Sequence, residues 1–155
     1  MRSLSLILCA AAVAACSRAA DQPPAIDTTA AVAPPAPAPI ALADVAGRWS
    51  VQTKAEGTDS VLTTFELVAT ADTAGWTQNF PNRDPIPVRV IAVAGDSIVT
   101  EAGPFKSVLR KGVDVSIHSV MRLESGRLVG NTVAHYKTTS ADSVVRLRTE
   151  GTRLP

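Results

Sequence analysis

The segment from Val113 to Glu150 decides the predicted fold, and it reads VDVSIHSVMRLESGRLVGNTVAHYKTTSADSVVRLRTE. Apolar and polar side chains alternate along its first part with a period of two, which is the pattern of a half-buried β-strand. The run Glu124-Ser125-Gly126-Arg127 then predicts a tight turn, because glycine readily adopts the backbone conformations that such turns need. The segment therefore predicts a β-hairpin that is followed by a third strand.

A two-residue loop within this turn would also fix which residues face each other across the hairpin. In that register Val115 faces Tyr136 and Ile117 faces Ala134, so that one face of the hairpin is mainly apolar. We call this face A and the opposite, more polar face B. Face A comprises Val113, Val115, Ile117, Ser119, Met121, Leu123, Leu128, Ala134 and Tyr136, and face B comprises Asp114, Ser116, His118, Val120, Arg122, Arg127, Val129, Asn131, Val133 and His135.

The third strand, residues 142–150, alternates in the same way. We expect it to add Val145 and Leu147 to face A and to place Arg146 and Arg148 on face B. A shift of one residue would exchange the faces and bury both arginines without partners, which costs far more free energy than it gains.

Short alternating stretches upstream of the hairpin predict further strands, separated by turns that contain glycine, proline, asparagine or aspartate. They cover residues 48–54, 60–70, 76–80, 88–93, 97–101 and 105–110. No stretch shows convincing helical periodicity. Residues 42–155 are therefore expected to form one all-β domain, a single antiparallel meander of eight or nine strands closed as a small β-barrel, with a β-sandwich as the alternative.

The chain begins with features of an export signal. Met1-Arg2-Ser3 is a short basic start, and an apolar run follows that is too short to span a membrane. The sequence Val13-Ala14-Ala15-Cys16 resembles the lipobox of bacterial lipoproteins. The resemblance implies that residues 1–15 are a signal peptide, that Cys16 carries the lipid, and that the protein is anchored in the cell envelope. Ser17 after the lipid site implies the outer membrane, facing the periplasm; ordinary secretory cleavage is the alternative.

Residues 16–41 are expected to act as a spacer between the lipid and the folded domain. They are rich in alanine and proline, a composition that favours extended chain over helix. Cys9 would leave with the signal peptide and Cys16 would be lipidated, so the mature domain is expected to have no disulfide. Loss of Arg2 leaves 14 basic and 14 acidic residues, and this balance argues against nucleic acid as a partner.

The sequence Gly47-Arg48-Trp49 opens the first predicted strand and resembles the Gly-x-Trp opening of lipocalin and calycin barrels. The resemblance implies that the tryptophan closes one end of the barrel and that a late basic residue packs over it. Arg146, Arg148 and Arg153 are the candidates, and Arg148 is the residue predicted for this role. A cation over an aromatic ring contributes ~0.5–2 kcal/mol.

Face A predicts an apolar barrel interior that either holds a small apolar ligand or is filled by its own side chains. The residues predicted to line a ligand site are Phe65, Leu67, Val115, Ile117, Met121 and Tyr136. An interior open to a ligand is expected to enclose several hundred Å³, roughly the lower range of known ligand pockets. The loop from Asn79 to Pro85 is expected to border the open end of the barrel, with a stiff connection as the alternative.

Other chemistry has weaker support in the sequence. His118 and His135 lie on face B as diagonal neighbours, but a metal site needs a third ligand, and solvent-facing histidines are the simpler interpretation. Arg146 and Arg148 suggest an anion site beside His135, with a solvated outer face as the alternative. Motifs of hydrolases, zinc proteases and phosphate loops are absent from the sequence, so no enzyme, metal or cofactor is predicted. A structural or protein-interaction module remains the alternative to a ligand carrier, and the sequence leaves the oligomeric state open.

Overall fold

The computed structural model describes residues 39–155, and this part of the chain forms a closed antiparallel barrel. Its eight strands follow each other around the barrel in chain order, and the last pairs with the first. The fold is therefore the predicted meander barrel rather than a sandwich. The elements are α1 (Leu42–Val45), β1 (Gly47–Ala55), β2 (Val61–Ala69), β3 (Trp76–Asn79), β4 (Ile86–Ala94), β5 (Ser97–Lys106), β6 (Asp114–Glu124), β7 (Arg127–Tyr136), a single 3₁₀ turn (Ala141–Ser143) and β8 (Val144–Arg153).

The predicted register of the β6–β7 hairpin is confirmed. Val115 pairs with Tyr136 and Glu124 with Arg127, and the two-residue turn between them has both residues at positive φ. The parity of β8 is confirmed as well, because Leu147 is buried and pairs with Thr132. Face A thus lines the barrel interior and face B is its outer surface, as period-two alternation requires.

The predicted strand at residues 105–110 is wrong. Strand β5 continues through an irregularity in its pairing to Lys106, and residues 107–113 form a connection instead. The hydroxyl of Ser107 accepts hydrogen bonds from the backbone N–H groups of Leu109 and Arg110, both at 3.0 Å. Serine side chains that satisfy nearby backbone donors in this way stabilise turns in competition with strands. Helix α1 was not predicted from the sequence either, because its 4 residues are too few to show a helical period.

The two ends of the barrel differ in their connections. At one end, which we call the closed end, lie α1, the connection of residues 70–75 and the tight turns at residues 95–96 and 125–126. At the other, the loop end, lie the longer connections of residues 56–60, 80–85, 107–113 and 137–143. The loop from Asn79 to Pro85 thus lies at the loop end, opposite α1, where it was expected.

Trp49, Trp76 and Val45 lie toward the closed end and are almost fully buried within the larger apolar cluster. A second buried cluster lies toward the loop end and contains Val115, Ala134, Tyr136 and Leu147. Within residues 39–155 there is no helix with the length and apolar character needed to span a bilayer. The predicted signal peptide, Cys16 and almost all of the predicted linker lie outside the described residues.

Candidate functional site

Trp49 closes one end of the barrel, where it is completely buried. Its indole Nε1–H donates to the carbonyl oxygen of Val45 at 2.8 Å, which ties α1 to the first strand. Gly47 precedes it with a φ of 133°, and a Cβ there would lie 2.7 Å from Nη1 of Arg153. Glycine is therefore favoured by the backbone conformation, and a larger residue would also displace the end of the Arg153 side chain.

The basic residue over the tryptophan is Arg153, and the prediction of Arg148 is wrong. The Cζ atom of Arg153 lies 4.3 Å from the centre of the Trp49 ring. Its guanidinium also donates to the carbonyl oxygens of Ala46 at 2.5 Å and Asp44 at 2.6 Å, at the end of α1. These contacts connect the last strand to the helix that covers the closed end.

The parity of β8 explains why Arg148 cannot reach Trp49. Residues of β8 with the parity of Leu147 point inward, and Arg153 shares that parity while Arg148 does not. Arg148 lies on the outer surface toward the loop end, where its Nη2 atom is 2.8 Å from a carboxylate oxygen of Asp59. Five residues of strand, ~16 Å at ~3.3 Å per residue, separate it from Arg153.

A cavity of about 60 Å³ lies inside the barrel between the closed end and the loop end. All six residues predicted to line a ligand site line it: Phe65, Leu67, Val115, Ile117, Met121 and Tyr136. Val108 and Leu109 of the β5–β6 connection also line it while being exposed to solvent, so the cavity has its mouth at the loop end. The ligand role of the six residues stays a prediction.

A row of polar side chains crosses the otherwise apolar wall. Ser119 Oγ lies 2.7 Å from Thr132 Oγ1, which in turn lies 2.9 Å from Thr149 Oγ1, so that three buried hydroxyl groups on β6, β7 and β8 form a chain. Neighbouring strands extend the row by cross-strand pairing, since Thr53 pairs with Thr149 and Thr100 with Ser119. The cavity wall therefore offers hydrogen-bonding groups from five adjacent strands.

Two polar atoms on the cavity wall have no hydrogen-bond partner within the described part of the chain. They are Oγ1 of Thr53 on β1 and Oε1 of Gln78 on β3, and each residue is only 5% exposed. A buried polar atom without a partner destabilises the folded state by ~1–3 kcal/mol. Of this row only Ser119 was predicted from the sequence, as a member of face A. The period-two parity of the other inward polar residues is the signal that would have predicted them: Thr53, Gln78, Thr100, Thr132 and Thr149.

The loop from Asn79 to Pro85 contributes to this site through its first residues. Phe80 is buried, lines the cavity and packs against Phe65 with ring centres 5.1 Å apart. Arg83 donates to the backbone carbonyl of Lys106, which holds the exposed part of the loop against the end of β5. The loop therefore covers one side of the cavity at the loop end.

The two histidines lie on the outer surface of the described barrel. His118 and His135 line one shallow groove, but the described residues contain no group of three or more histidine, cysteine or acidic side chains placed to hold a metal ion. The predicted anion site beside His135 also lacks Arg148, which pairs with Asp59 and lies near Glu150.

Ion pairs on this surface lower the pKa of two carboxyl groups. A hydrogen bond from Arg48 lowers the pKa of Glu66. A hydrogen bond from Lys54, at 3.1 Å, lowers the pKa of Glu150, with smaller contributions from the positive charges of Arg148 and Arg127. Such pairs are typical of a solvated outer face and need no ligand.

Comparison with known proteins identifies no relative for this chain. No protein-family model, no curated protein and no solved structure matches it. Function must therefore be inferred from the geometry of the barrel itself.

Proposed function

We propose that this protein is a lipid-anchored protein of the bacterial envelope whose lipocalin-like barrel binds a small, mainly apolar ligand. The observation that carries the proposal is the interior cavity, which has mostly apolar walls, a blocked end at Trp49 and a mouth at the loop end. Ligand sites in proteins are typically concave and apolar, with a few placed polar groups. The cavity combines these features in one place.

The size of the cavity restricts the ligand. The cavity of about 60 Å³ is well below the several hundred Å³ expected from the sequence, and below the ~300–1,000 Å³ of typical ligand pockets. Large side chains such as Phe65, Phe80 and Tyr136 fill the rest of the interior. A compact ligand fits this space, whereas an extended acyl chain would require these side chains to move.

Native mass spectrometry of the full chain, carrying Cys16→Ala and purified gently, tests the proposal. A small additional mass that is lost on denaturation is the expected result. Ala134→Val should remove that mass, because Ala134 lines the cavity and two added methyl groups would occupy it. The matched control is Val133→Ile, at the neighbouring position on the outer face, which should leave the bound mass unchanged. Equal masses in the native and denatured states, with every ligand tried, would contradict the proposal.

A filled-core interaction module is the second candidate, and the small cavity volume favours it. In that case Ala134→Val only fills a void. Filling ~60 Å³ at ~24 cal/mol per Å³ would stabilise the protein by ~1.4 kcal/mol. A stabilised variant, together with a bare polypeptide mass in the wild type, would support this alternative over ligand binding.

The proposal of a lipid anchor rests on Val13-Ala14-Ala15-Cys16 and on the proline-rich segment that follows. Two or more acyl chains on Cys16 would anchor the protein stably, at ~0.8 kcal/mol per buried CH₂ group. Expressed in a Gram-negative host, the protein should fractionate with the outer membrane, and Cys16→Ala should release it or leave its signal uncleaved. An unmodified N-terminal fragment beginning at a residue other than Cys16 would refute lipidation.

A further inference from the structure

The polar groups on the cavity wall indicate what kind of ligand the barrel takes. Thr132 already has hydrogen-bond partners within the barrel, because its hydroxyl contacts both Ser119 Oγ and Thr149 Oγ1. The hydroxyl of Thr53 and the amide oxygen of Gln78 are as deeply buried and have no such partner. Both residues line the same cavity, so a molecule inside it can reach them.

The unpartnered atoms differ in what they need. An amide oxygen only accepts hydrogen bonds, so Oε1 of Gln78 requires an O–H or N–H donor. The Thr53 hydroxyl both donates and accepts, and it therefore complements a hydroxyl or amide group on a ligand equally well. A pure hydrocarbon would leave both atoms unsatisfied.

The cavity also excludes charged ligands. No described residue that lines the cavity is charged. The nearby guanidinium of Arg110 does not line the cavity: its Cζ atom lies 4.1 Å from the centre of the Tyr136 ring, and it donates to the carbonyl oxygen of Asp142. Burying a carboxylate without a cationic partner is strongly unfavourable.

Resting on the proposed function, we infer that the barrel selects a compact, neutral amphiphile whose hydroxyl or amide group forms a hydrogen bond with Gln78 Oε1 or with the Thr53 hydroxyl. Its apolar part contacts Leu67, Ile117 and Met121 on the same wall. At ~10–15 Å³ for each water-sized sphere, a cavity of about 60 Å³ holds about four to six such spheres. Short-chain alcohols and amides are ligands of this size.

The isomers 1-butanol and diethyl ether provide a matched pair of probes, since only the alcohol donates a hydrogen bond. Butyrate is the charged probe of similar size. Each is titrated into the full chain carrying Cys16→Ala, and binding is followed through the NMR signals of the methyl groups of Ala134 and Met121. We expect 1-butanol to bind about 2- to 10-fold more tightly than the ether, which is the contribution of one neutral hydrogen bond. Butyrate should not bind at neutral pH.

Gln78→Met and Thr53→Val, made singly and together, test the assignment. Both preserve side-chain size while removing the unpartnered atoms. In the double variant the preference for 1-butanol should fall to about 1-fold, with the affinity for diethyl ether unchanged or increased. Thr64→Val, on the exposed face of β2, is the matched control and should retain the preference.

The outcomes separate the inference from the proposal on which it rests. Equal affinities for the alcohol and the ether in the wild type would overturn the inference but leave an apolar ligand site in place. Tighter binding of butyrate, or a preference that survives in the double variant, would also overturn it. If no probe shifts the methyl signals at any concentration, both the inference and the proposed function fail.

Discussion

Replacing Arg153 should destabilise the fold at the closed end of the barrel. Its guanidinium makes a cation–π contact with Trp49 and donates to two backbone carbonyl oxygens at the end of α1. At an exposed position the cation–π contact contributes ~0.5–1 kcal/mol, and each hydrogen bond contributes ~1 kcal/mol. Arg153→Gln is therefore expected to lower the free energy of unfolding by about 2–3 kcal/mol.

Urea unfolding followed by tryptophan fluorescence measures this loss, because Trp49 is one of the two emitting residues. For a domain of this size 1 kcal/mol corresponds to ~4 °C, so a loss of about 2–3 kcal/mol should lower the thermal midpoint by about 8–12 °C. Arg148→Gln is the matched control. Its ion pairs with Asp59 and Glu150 lie at the surface, where the Arg148 side chain is 43% exposed, and surface pairs contribute only ~0–1 kcal/mol.

The comparison of the two arginines can refute the reasoning. If Arg153→Gln and Arg148→Gln reduce the stability equally, or if Arg148→Gln costs more, then Arg153 does not hold the closed end. A change in the fluorescence maximum of the folded Arg153 variant, without a change in the control, would independently place the lost contact at Trp49.

Three further predictions concern the interior and the surface. Gly130→Ala should destabilise the barrel by ~1–3 kcal/mol or more, because a Cβ at Gly130 would lie 2.1 Å from a carbonyl oxygen of β6. Gly151→Ala should cost less, because a Cβ there would meet no atom closer than 3.1 Å, and urea midpoints rank the two variants. Thr132→Val should cost ~1–3 kcal/mol in the same assay by breaking the hydroxyl chain, and a neutral result would argue against that chain. The hydrogen bond from Lys54 lowers the pKa of Glu150 below its ordinary value of 4.5, so the stabilisation of the fold by this carboxylate is present above about pH 4.5 and is lost as the pH falls. Glu150→Gln should therefore make the urea midpoint fall less steeply between pH 5 and pH 3. A wild-type urea midpoint that does not change over this range would contradict the prediction.

The parts of the fold that the sequence predicted are those in which two independent constraints agree. In the β6–β7 hairpin, the turn residues Ser125 and Gly126 and the apolar alternation on both sides demand the same register. Strand β8 follows because any other parity buries Arg146 and Arg148. The barrel topology then results from short connections between successive strands, which favour antiparallel neighbours.

The failures share the opposite cause, because each depended on a single residue with no second constraint. Residues 105–110 have the composition of a strand, and only the hydroxyl of Ser107, which bonds to the backbone ahead of it, ends β5 early. Arg148 was one of three late arginines that the lipocalin resemblance allowed, although its own parity placed it on face B. Arg153 has the inward parity, but only two residues follow it in the given sequence, so the alternation is hard to recognise there.

The inward threonines bear on the choice between a carrier and a filled module. Threonine is β-branched like valine and fits a strand equally well, so strand formation does not explain a hydroxyl at Thr53. Valine would occupy nearly the same volume and leave no unpartnered oxygen, and the same holds for methionine at Gln78. A barrel whose interior only packs would therefore be more stable with apolar residues at both positions, by ~1–3 kcal/mol each. Groups that destabilise the empty barrel and line its cavity are most simply explained by a ligand that satisfies them.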